Sequence, residues 1–376
     1  MPKPLEGIRV VELARVLAGP WCGQLLADLG AEVIKVERPG VGDDTRSWGP
    51  PFVMDDSENL GAAYYHSCNR GKRGVAIDIA TPEGQAEIRD LIAGADVVIE
   101  NYKVGGLAKY DLDPATLIAD FPRLIVCSIT GFGQTGPYAH RAGYDFIIQA
   151  MGGAMSLTGE PDGAPQKAGI AYADIFTGMY STVAILAALR RRDVTGDAKG
   201  GRAHIDMALL DCQVGVLANQ AANYLASGVS PRRMGNGHAN VVPYQAFATA
   251  DGQLVIAVGN DGQFRKLCVI LGEPGWADDA RFVSNAARLA HRAELIPLLA
   301  AKIATWGAQP LSLALEAEGV PAGPINDIEG VFADPQVQAR GMRFRPEGAS
   351  VDGLASPIVI DGERMVAAEG APPLAK

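Results

Sequence analysis

The first forty residues constrain the fold most, because two apolar runs enclose one short helical pattern. Residues 7–14 (GIRVVELA) and 31–39 (AEVIKVERP) are typical of buried strands. Residues 19–30 predict a helix with Pro20 in its first turn and Gly30 at its end. A crossover helix this short between apolar strands indicates parallel pairing. The chain is therefore expected to begin with a βαβ unit.

The same alternation recurs through the N-terminal third. Residues 73–79, 96–102 and 122–130 read as further strands. Residues 81–95 predict a helix that Thr81 caps ahead of a proline. These elements predict an open α/β sheet, with ligand-binding loops at the carboxyl ends of its strands.

The remainder of the chain has a different pattern. Residues 204–228 and 262–318 are mostly helical, and 244–260 predict a hairpin that turns at Asp251-Gly252. Residues 344–363 predict short strands and turns. The middle section is therefore expected to form a smaller α+β domain.

Composition and charge restrict the classes of function. The net charge of −10 offers no field for nucleic acid. Five cysteines and five histidines are scattered without metal-ligand spacing, so we expect no metal site, and we interpret the cysteines as buried apolar residues. The N-terminus has no signal-peptide pattern, and we see no uninterrupted apolar run long enough to span a bilayer. We expect a cytoplasmic protein.

Asp174 lies where a small-residue segment meets a long apolar helix predicted at 175–192. One interpretation is structural, since Asp is a preferred helix N-cap. The other is chemical, because a helix N-terminus favours an ionised carboxylate, and such a group can act as a nucleophile. The two roles are compatible, since one oxygen can cap while the other faces a substrate.

The segment GFGQTG at 131–136 follows a strand and matches the G-x-G-x-x-G dinucleotide fingerprint. Its last glycine should open a helix, but Pro137 follows directly and no helical apolar stripe comes after it. We interpret the segment as a loop that bends tightly or approaches another backbone closely.

Seven stretches, in order along nearly the whole chain, together resemble the class III coenzyme A-transferases. They lie at residues 12–46, 69–79, 95–107, 128–153, 171–189, 233–247 and 318–342. The last two stretches are most similar to the branch that uses dicarboxyl-CoA donors such as succinyl-CoA.

The resemblance implies an interlocked homodimer in which each chain forms an open ring. It implies a Rossmann-like large domain built from both chain ends, a small α+β domain between them, and long linkers. The boundaries we expect are 1–200 for the N-terminal part of the large domain, 225–320 for the small domain, 321–376 for the return, and linkers at about 201–224 and 318–330.

The family's nucleophile is an aspartate that matches Asp174. The implied reaction passes through an aspartyl anhydride and an aspartyl-CoA thioester, and the acceptor acid then takes the CoA. Such intermediates require a site that excludes water. A CoA thioester is the expected substrate, and no tightly bound cofactor is implied.

The resemblance also assigns binding residues. The substrate-site candidates are Gly235, Asn236, Gly237 and His238, whose glycine-rich loop is expected to offer backbone N–H groups, and Tyr144. The CoA-binding candidates are Val16, Arg38, Lys72 (with Arg70 or Arg73 as substitutes), Asn101, Tyr102 and Lys109.

Two departures and two alternatives stay open. Leu17 stands where the formyl-CoA enzyme has glutamine, and the loop MGNGH has fewer glycines, so oxalate and formate are not favoured as substrates. The related α-methylacyl-CoA racemases use a histidine where this chain has Tyr144. The other alternative is a non-catalytic CoA-binding protein in which Asp174 only caps a helix.

The acceptor acid is not determined by the sequence. A cationic side chain near the site is expected to select it. The candidates are Arg15, His238 and Arg46.

Overall fold

The computed structural model describes residues 2–55, 58–196 and 201–375. In this part of the chain the strands are β1 (Arg9–Glu12), β2 (Glu32–Glu37), β3 (Phe52–Asp55), β4 (Glu58–Ala62), β5 (Lys72–Ala76), β6 (Val97–Glu100), β7 (Ile125–Thr130), β8 (Ala203–Ala208), β9 (Tyr244–Ala248), β10 (Gln253–Ala257), β11 (Ala322–Pro324), β12 (Arg343–Phe344), β13 (Gly353–Leu354), β14 (Val359–Ile360) and β15 (Glu363–Arg364).

The α-helices described are α1 (Ala18–Asp28), α2 (Ala63–His66), α3 (Pro82–Ala93), α4 (Pro114–Asp120), α5 (Asp145–Met151), α6 (Ala154–Leu157), α7 (Tyr172–Thr195), α8 (Leu209–Gly215), α9 (Ala218–Ser227), α10 (Asp261–Ile270), α11 (Asn285–Ala290), α12 (Arg292–Ile303), α13 (Ala308–Ala317), α14 (Ile328–Ala333) and α15 (Pro335–Ala339). Short 3-10 helices lie at Asp44–Ser47, Ala108–Tyr110 and Pro274–Ala277.

The chain divides into two compact units. The larger contains residues 1–155, 167–230 and 335–376, and the smaller contains 156–166 and 231–334. The domain boundaries expected from the sequence stay a prediction.

A six-stranded parallel sheet forms the centre of the larger unit, in the order β5-β2-β1-β6-β7-β8. Val10 of β1 lies opposite Val33 of β2 on one side and Val97 of β6 on the other. Such strands are covered on both faces, which explains why their sequences are nearly continuous apolar runs. The predicted parallel sheet and its βαβ start are confirmed.

Helices cover both faces of this sheet. On one face α1 and α7 pack together, and Leu26 and Ile185 join Val10 in a single buried cluster. On the other face α3 and α4 bring Ile88 and Leu117 against the opposite sides of the strands. The hydrophobic contact between helix and sheet therefore stabilises both layers.

Helix α3 begins as the sequence predicted. Thr81 adopts an extended backbone conformation, and its side-chain oxygen accepts the N–H of Gly84 at 3.0 Å. This bond satisfies one of the free N–H groups of the first helical turn.

Helix α7 is the one described helix that is long and apolar enough to cross a membrane by length and composition. This corrects the expectation that no segment passes such a test. In the structure α7 packs against α1 and the sheet, as the core helices of globular proteins do.

The smaller unit contains the predicted hairpin. Strands β9 and β10 pair antiparallel, with Ala248 opposite Gln253, and β11 joins the other side of β10. Helices α10 to α13 cover this sheet, and Phe264 and Leu299 lie in its core. The helical pattern at 262–318 and the short strands of the tail are confirmed.

Strand β8 differs from the prediction, which placed helix from residue 204. Residues 203–208 instead pair with β7 and complete the sheet edge, with Ile205 opposite Cys127. Half-buried Ala203, Ile205 and Met207 alternate with exposed His204 and Asp206. This period of two is the signature of a strand, and the unpaired edge of β7 supplies its hydrogen-bonding partner.

Candidate active site

The sheet order reverses between β1 and β6, so the loops that follow these two strands separate and leave a crevice at the carboxyl edge. A cavity of about 420 Å³ lies there. Its wall includes residues 15–18 after β1, residues 101–104 after β6, and residues 129–131 at the carboxyl end of β7. The cavity lies where the sequence predicted ligand-binding loops, at the carboxyl ends of the strands, and ligand binding there stays a prediction.

Asp174 also lines the cavity, at the third position of α7. The helix begins at Tyr172, and Ala171 is its N-cap, so the interpretation of Asp174 as a capping residue is wrong. Asp145 makes the capping contact instead, because its Oδ1 accepts the Ala173 N–H at 2.9 Å. The Asp174 carboxylate is therefore not occupied in starting its own helix.

The surroundings of Asp174 disfavour its charged form. Burial, and then the negative charge of Asp145, raise its pKa from 3.8 to about 7. This is the reverse of the expectation that the helix N-terminus would favour ionisation. Loss of hydration outweighs the helix dipole here, since Asp145 occupies the first-turn N–H of Ala173 and adds a like charge.

Tyr64 of α2 is close enough to Asp174 for the charge of that carboxylate to affect the pKa of the phenol. Burial raises the pKa of this phenol to about 12, and the Asp174 carboxylate contributes next. The Tyr64 ring makes an edge contact with Trp48, with centroids 5.3 Å apart. Tyr64 therefore carries a neutral hydroxyl that is able to donate a hydrogen bond.

The loop after β1 has a strained backbone. Val16 has φ +73°, a conformation that β-branched residues rarely adopt. Its N–H donates to both carboxylate oxygens of Asp43 at 3.3 Å. The neighbouring Arg15 donates its N–H to Asn101 Oδ1 at 3.0 Å, and Asn101 Nδ2 donates to the Arg15 carbonyl at 2.6 Å.

Several predicted binding residues share this cavity. Val16, Asn101, Tyr102 and Tyr144 all line it, and Tyr144 is exposed. The Asn101 amide is engaged with the Arg15 backbone, so it holds the loop. Its direct contact with CoA stays a prediction.

A second cavity of about 280 Å³ lies at the ends of β2 and β5. The predicted Arg38 is exposed on its wall. Arg15 and Tyr102 line both cavities, which are therefore adjacent. The edge of the sheet thus provides room for an extended ligand.

Lys72 lines neither of the two cavities described above. Its side chain is fully buried, and Nζ donates to Glu12 at 2.9 Å and to Pro20 O and Asn69 at 2.8 Å. All three N–H groups are engaged. Of its possible substitutes, Arg70 is buried against Asp28, and Arg73 is exposed. We therefore do not propose Lys72 or Arg70 as contacts for the CoA phosphates.

Arg46 is likewise removed from the first cavity. Its buried guanidinium donates to both oxygens of Glu37 at 2.8 and 2.7 Å and lies 3.7 Å from the Tyr65 ring centre. Arg46 is one of the three candidates for selection of the acceptor acid, but the structure places it in a buried ion pair with Glu37 and not on the wall of the first cavity. Lys109 is exposed, with Nζ over the Tyr110 ring, and lines neither of the two cavities described above.

The glycine-rich loop lies in the smaller unit. Gly235 donates its N–H to Gly159 O at 3.1 Å, and Gly237 donates to Met234 O at 2.9 Å. His238 Nδ1 accepts the Asn240 N–H at 3.1 Å, and Asn236 is exposed. The Gly237 N–H is therefore occupied within a turn that leads to β9, and the Gly235 N–H is occupied by the segment around Gly159.

The GFGQTG segment is a tight loop, as interpreted from the sequence. A side chain at Gly131 would lie 2.5 Å from the Cα of Gly143, so two backbone segments meet there. The next helix begins only at Asp145. This close approach requires glycine and offers no helix N-terminus to a pyrophosphate.

Sequence reasoning missed four residues around the first cavity: Asp43, Tyr64, Arg141 and Asp145. Asp145 was detectable, since a carboxylate 29 residues before Asp174 also begins a helix. Asp43 and Tyr64 act through distant contacts that no local pattern encodes. Arg141 lines the cavity beside Tyr144, and its guanidinium lies over the Phe132 and Tyr138 rings at 5.4 and 4.7 Å.

No cluster of three or more His, Cys, Asp or Glu side chains suited to a metal occurs within residues 2–55, 58–196 and 201–375. All five cysteines are free and buried, which confirms their interpretation as apolar core residues.

A doubly covered parallel sheet with two adjacent cavities at its carboxyl edge defines an α/β protein of the class that binds ligands where the strand order reverses. The sequence matches CoA-transferase family III over residues 5–376. The chain belongs to this family, and the family predicted from the sequence is confirmed. It is an enzyme of the CoA-transferase class.

The similar proteins include curated relatives and solved structures. The succinate–glutarate CoA-transferase of Agrobacterium fabrum is 59% identical over 95% of this chain and 89% of its own. The succinyl-CoA:glutarate CoA-transferase of Mus musculus is 45% identical over 94% of this chain and 79% of its own. A crystal structure of a CAIB/BAIF family protein from Brucella suis is 57% identical, with TM-score 0.88 over 100% of this chain and 97% of its own.

We predict that Asp174→Asn stabilises the protein at high pH. The pKa of about 7 in the folded state lies above the ordinary 3.8. The ionised carboxylate therefore destabilises the fold increasingly as pH rises from about 4 to about 7. We expect the free energy of unfolding in urea to rise by about 1–4 kcal/mol at pH 8 and to change little at pH 4.

The matched control is Asp211→Asn, which alters an exposed carboxylate at the third position of α8. It should affect unfolding equally at both pH values. A stabilisation by Asp174→Asn of the same size at pH 4 and pH 8 would contradict the raised pKa.

Proposed function

We propose that this enzyme moves CoA from a dicarboxyl-CoA donor, succinyl-CoA, to a dicarboxylic acid acceptor, with Asp174 as the covalent nucleophile. The observation that carries the proposal is that the Asp174 side chain lines the cavity without serving as its helix cap. The names of both curated relatives, which transfer CoA between succinate and glutarate, support the choice of dicarboxylic substrates.

The two adjacent cavities support an extended CoA thioester. The nucleotide end would occupy the second cavity, where Arg38 is exposed and offers a cation to phosphate. The thioester end would reach past Arg15 and Tyr102, which line both cavities, to Asp174 in the first. In this pose Lys109 contacts only the solvent-exposed portion of CoA.

The first half of the proposed reaction converts the donor thioester to an aspartyl-CoA thioester in two acyl transfers. A carboxylate oxygen of Asp174 attacks the thioester carbonyl, the C–S bond breaks, and CoA leaves as a thiolate. The thiolate then attacks the Asp174 carbonyl of the mixed anhydride and releases the donor acid as its carboxylate. This leaves an aspartyl-CoA thioester, and no net proton has moved.

The second half reverses this sequence with the acceptor. The acceptor carboxylate attacks the aspartyl thioester and gives a second anhydride with free CoA thiolate. Attack of the thiolate on the acceptor's acyl carbon yields the new acyl-CoA and restores the Asp174 carboxylate. A site that disfavours charge on Asp174 assists the first attack, in which Asp174 is the nucleophile, because it raises the basicity of the free carboxylate.

Tyr64 supports the same chemistry. Its neutral hydroxyl lies within the electrostatic reach of Asp174, where negative charge develops on the carbonyl oxygen during each attack. A fixed hydrogen-bond donor in a partly desolvated site stabilises such an oxyanion. The N–H groups of Gly235 and Gly237, which donate to Gly159 O and Met234 O, are not needed for this role.

Two arginines on the cavity wall support selection of a dicarboxylate. Arg15 is paired with Asp44 at 2.7 Å, whereas Arg141 has no carboxylate partner among the residues that the structure describes. Stacking on Phe132 and Tyr138 orients the Arg141 guanidinium. We assign Arg141 to the distal carboxylate of the donor and acceptor acids.

A racemase would need a proton-transfer partner for Asp174. Tyr144 stands where the racemases carry histidine, and the described wall of the first cavity contains no histidine. A phenol is a poor base at neutral pH. We therefore propose CoA transfer and no second candidate function.

Three further parts of the proposal rest on the resemblance to the family. The functional form is a homodimer of interlocked rings, with a large Rossmann-like domain and a small α+β domain divided near residues 201–224 and 318–330. CoA enters as a substrate, without a tightly bound cofactor. The compartment is the cytoplasm.

We predict that the enzyme forms a trappable acyl group on Asp174. Incubation with succinyl-CoA and hydroxylamine should convert Asp174 to a hydroxamate, which mass spectrometry of the peptide would detect. Asp174→Ala should abolish trapping and lower CoA exchange by about 10³-fold or more. Asp211→Ala, at the equivalent position of α8, should do neither. Exchange at the parent rate by Asp174→Ala would refute the mechanism.

We predict that Arg141→Gln lowers the preference for dicarboxylates. A charge-assisted hydrogen bond to the distal carboxylate is lost, so kcat/KM for succinyl-CoA should fall by about tenfold or more relative to butyryl-CoA. Lys103→Gln removes another cation from the same wall and should affect both substrates alike. An equal effect of Arg141→Gln on both substrates would show that Arg141 does not contact the distal carboxylate.

A further inference from the structure

The loop between β1 and α1 is held by side chains from distant segments. Lys35 Nζ donates to the Ala14 carbonyl at 3.1 Å. The Asn101 amide binds both polar backbone atoms of Arg15. The Asp43 carboxylate accepts the Val16 N–H. Three consecutive residues on the cavity side of the sheet are thus fixed by groups outside the loop.

Val16 requires such support. A β-branched residue at φ +73° is strained, and strain of this kind persists only where the surroundings determine the conformation. The contact with Asp43 is the one hydrogen bond that the structure shows for the Val16 N–H. Without it, the N–H would be unsatisfied and the residue would be free to return to an ordinary conformation.

Asp43 itself is firmly placed. It is only 1% exposed, and it accepts the Thr45 N–H at 3.0 Å and the Thr45 hydroxyl at 2.7 Å. Lys35 Nζ lies 2.9 Å from its Oδ2. Burial alone would raise the pKa of Asp43, but Lys35 and Thr45 reverse the effect and hold this pKa below its usual value. Asp43 is therefore an anion at neutral pH.

The cation that pairs with Asp43 is also fully engaged. The Lys35 side chain is completely buried, and its three N–H groups donate to Ala14 O, Asp43 and Glu12, the last at 3.1 Å. Glu12 in turn pairs with Lys72 at 2.9 Å. Two buried cations and two buried anions therefore form one neutral network beneath the loop.

We propose that Asp43 is a positioning residue for CoA transfer, which acts by holding Val16 in its left-handed conformation on the cavity wall. The proposal rests on the proposed function of the cavity. Asp43 touches no substrate in this account. It fixes the backbone at residues 15 and 16, and these two residues shape the wall that faces Asp174.

The test is a double-mutant cycle with Asp43→Asn and Val16→Gly. Glycine adopts φ +73° without strain, so it removes the need for the carboxylate. We expect Asp43→Asn to lower kcat for CoA exchange by about tenfold, and Val16→Gly to lower it by a smaller factor because a side chain is lost from the cavity wall. The double variant should fall within about threefold of Val16→Gly, a non-additive rescue.

Thermal unfolding separates positioning from stability. The melting temperature of the double variant should stay as low as that of Asp43→Asn, because the contact with Lys35 remains lost while kcat recovers. Asp113→Asn is the control, since Asp113 also accepts two backbone N–H groups and a threonine hydroxyl but lies at α4. It should leave kcat unchanged.

Additive losses in the double variant, or full activity of Asp43→Asn, would overturn the proposal. If Asp43→Asn does not fold, Thr45→Val removes only the 2.7 Å hydrogen bond to Asp43 and gives a milder form of the same cycle. If the parent enzyme exchanges no CoA, the proposed function fails instead. The cycle is then measured by calorimetry as the affinity for free CoA, with the same criterion of additivity.

Discussion

The partly buried carboxylate of Asp174 is the group on which the rest of the site depends. It lies in the first turn of a long helix, a position that normally supplies N–H partners to an anion. Asp145 occupies the Ala173 N–H and adds its own charge. Asp174 is therefore poorly solvated and basic, and it faces the cavity. This arrangement opposes the stability of the fold but suits the attack on a thioester that we propose.

The sheet topology determines where this carboxylate can meet a substrate. The strand order reverses between β1 and β6, and the loops that follow them diverge to form the crevice. One of these loops is strained at Val16 and held by Asp43, and the other contributes Asn101, which binds the first loop. Contacts between loops thus form the wall of the cavity, and the buried ion pair of Lys35 and Glu12 lies beneath it.

The elements that depend on local pattern could be predicted from the sequence. The strand around Val10 and the helix capped by Thr81 carry their signals within a few residues. The start of α7 could not be predicted, because the residue that caps it, Asp145, lies outside the segment. The burial of Lys72 could not be predicted for a similar reason, because its ion-pair partner Glu12 lies sixty residues away in the sequence. Family resemblance identified Asp174, but its raised pKa follows only from the three-dimensional surroundings.

Transfer of oxygen to Asp174 tests the covalent mechanism most directly. The enzyme would turn over succinyl-CoA with glutarate labelled with ¹⁸O in its carboxylates, and the peptide that contains Asp174 would be analysed by mass spectrometry. Attack by the acceptor carboxylate and collapse of the second anhydride leave one acceptor oxygen on Asp174, so the account predicts incorporation of ¹⁸O at this residue. Labelled acyl-CoA product with no ¹⁸O in Asp174 would contradict it.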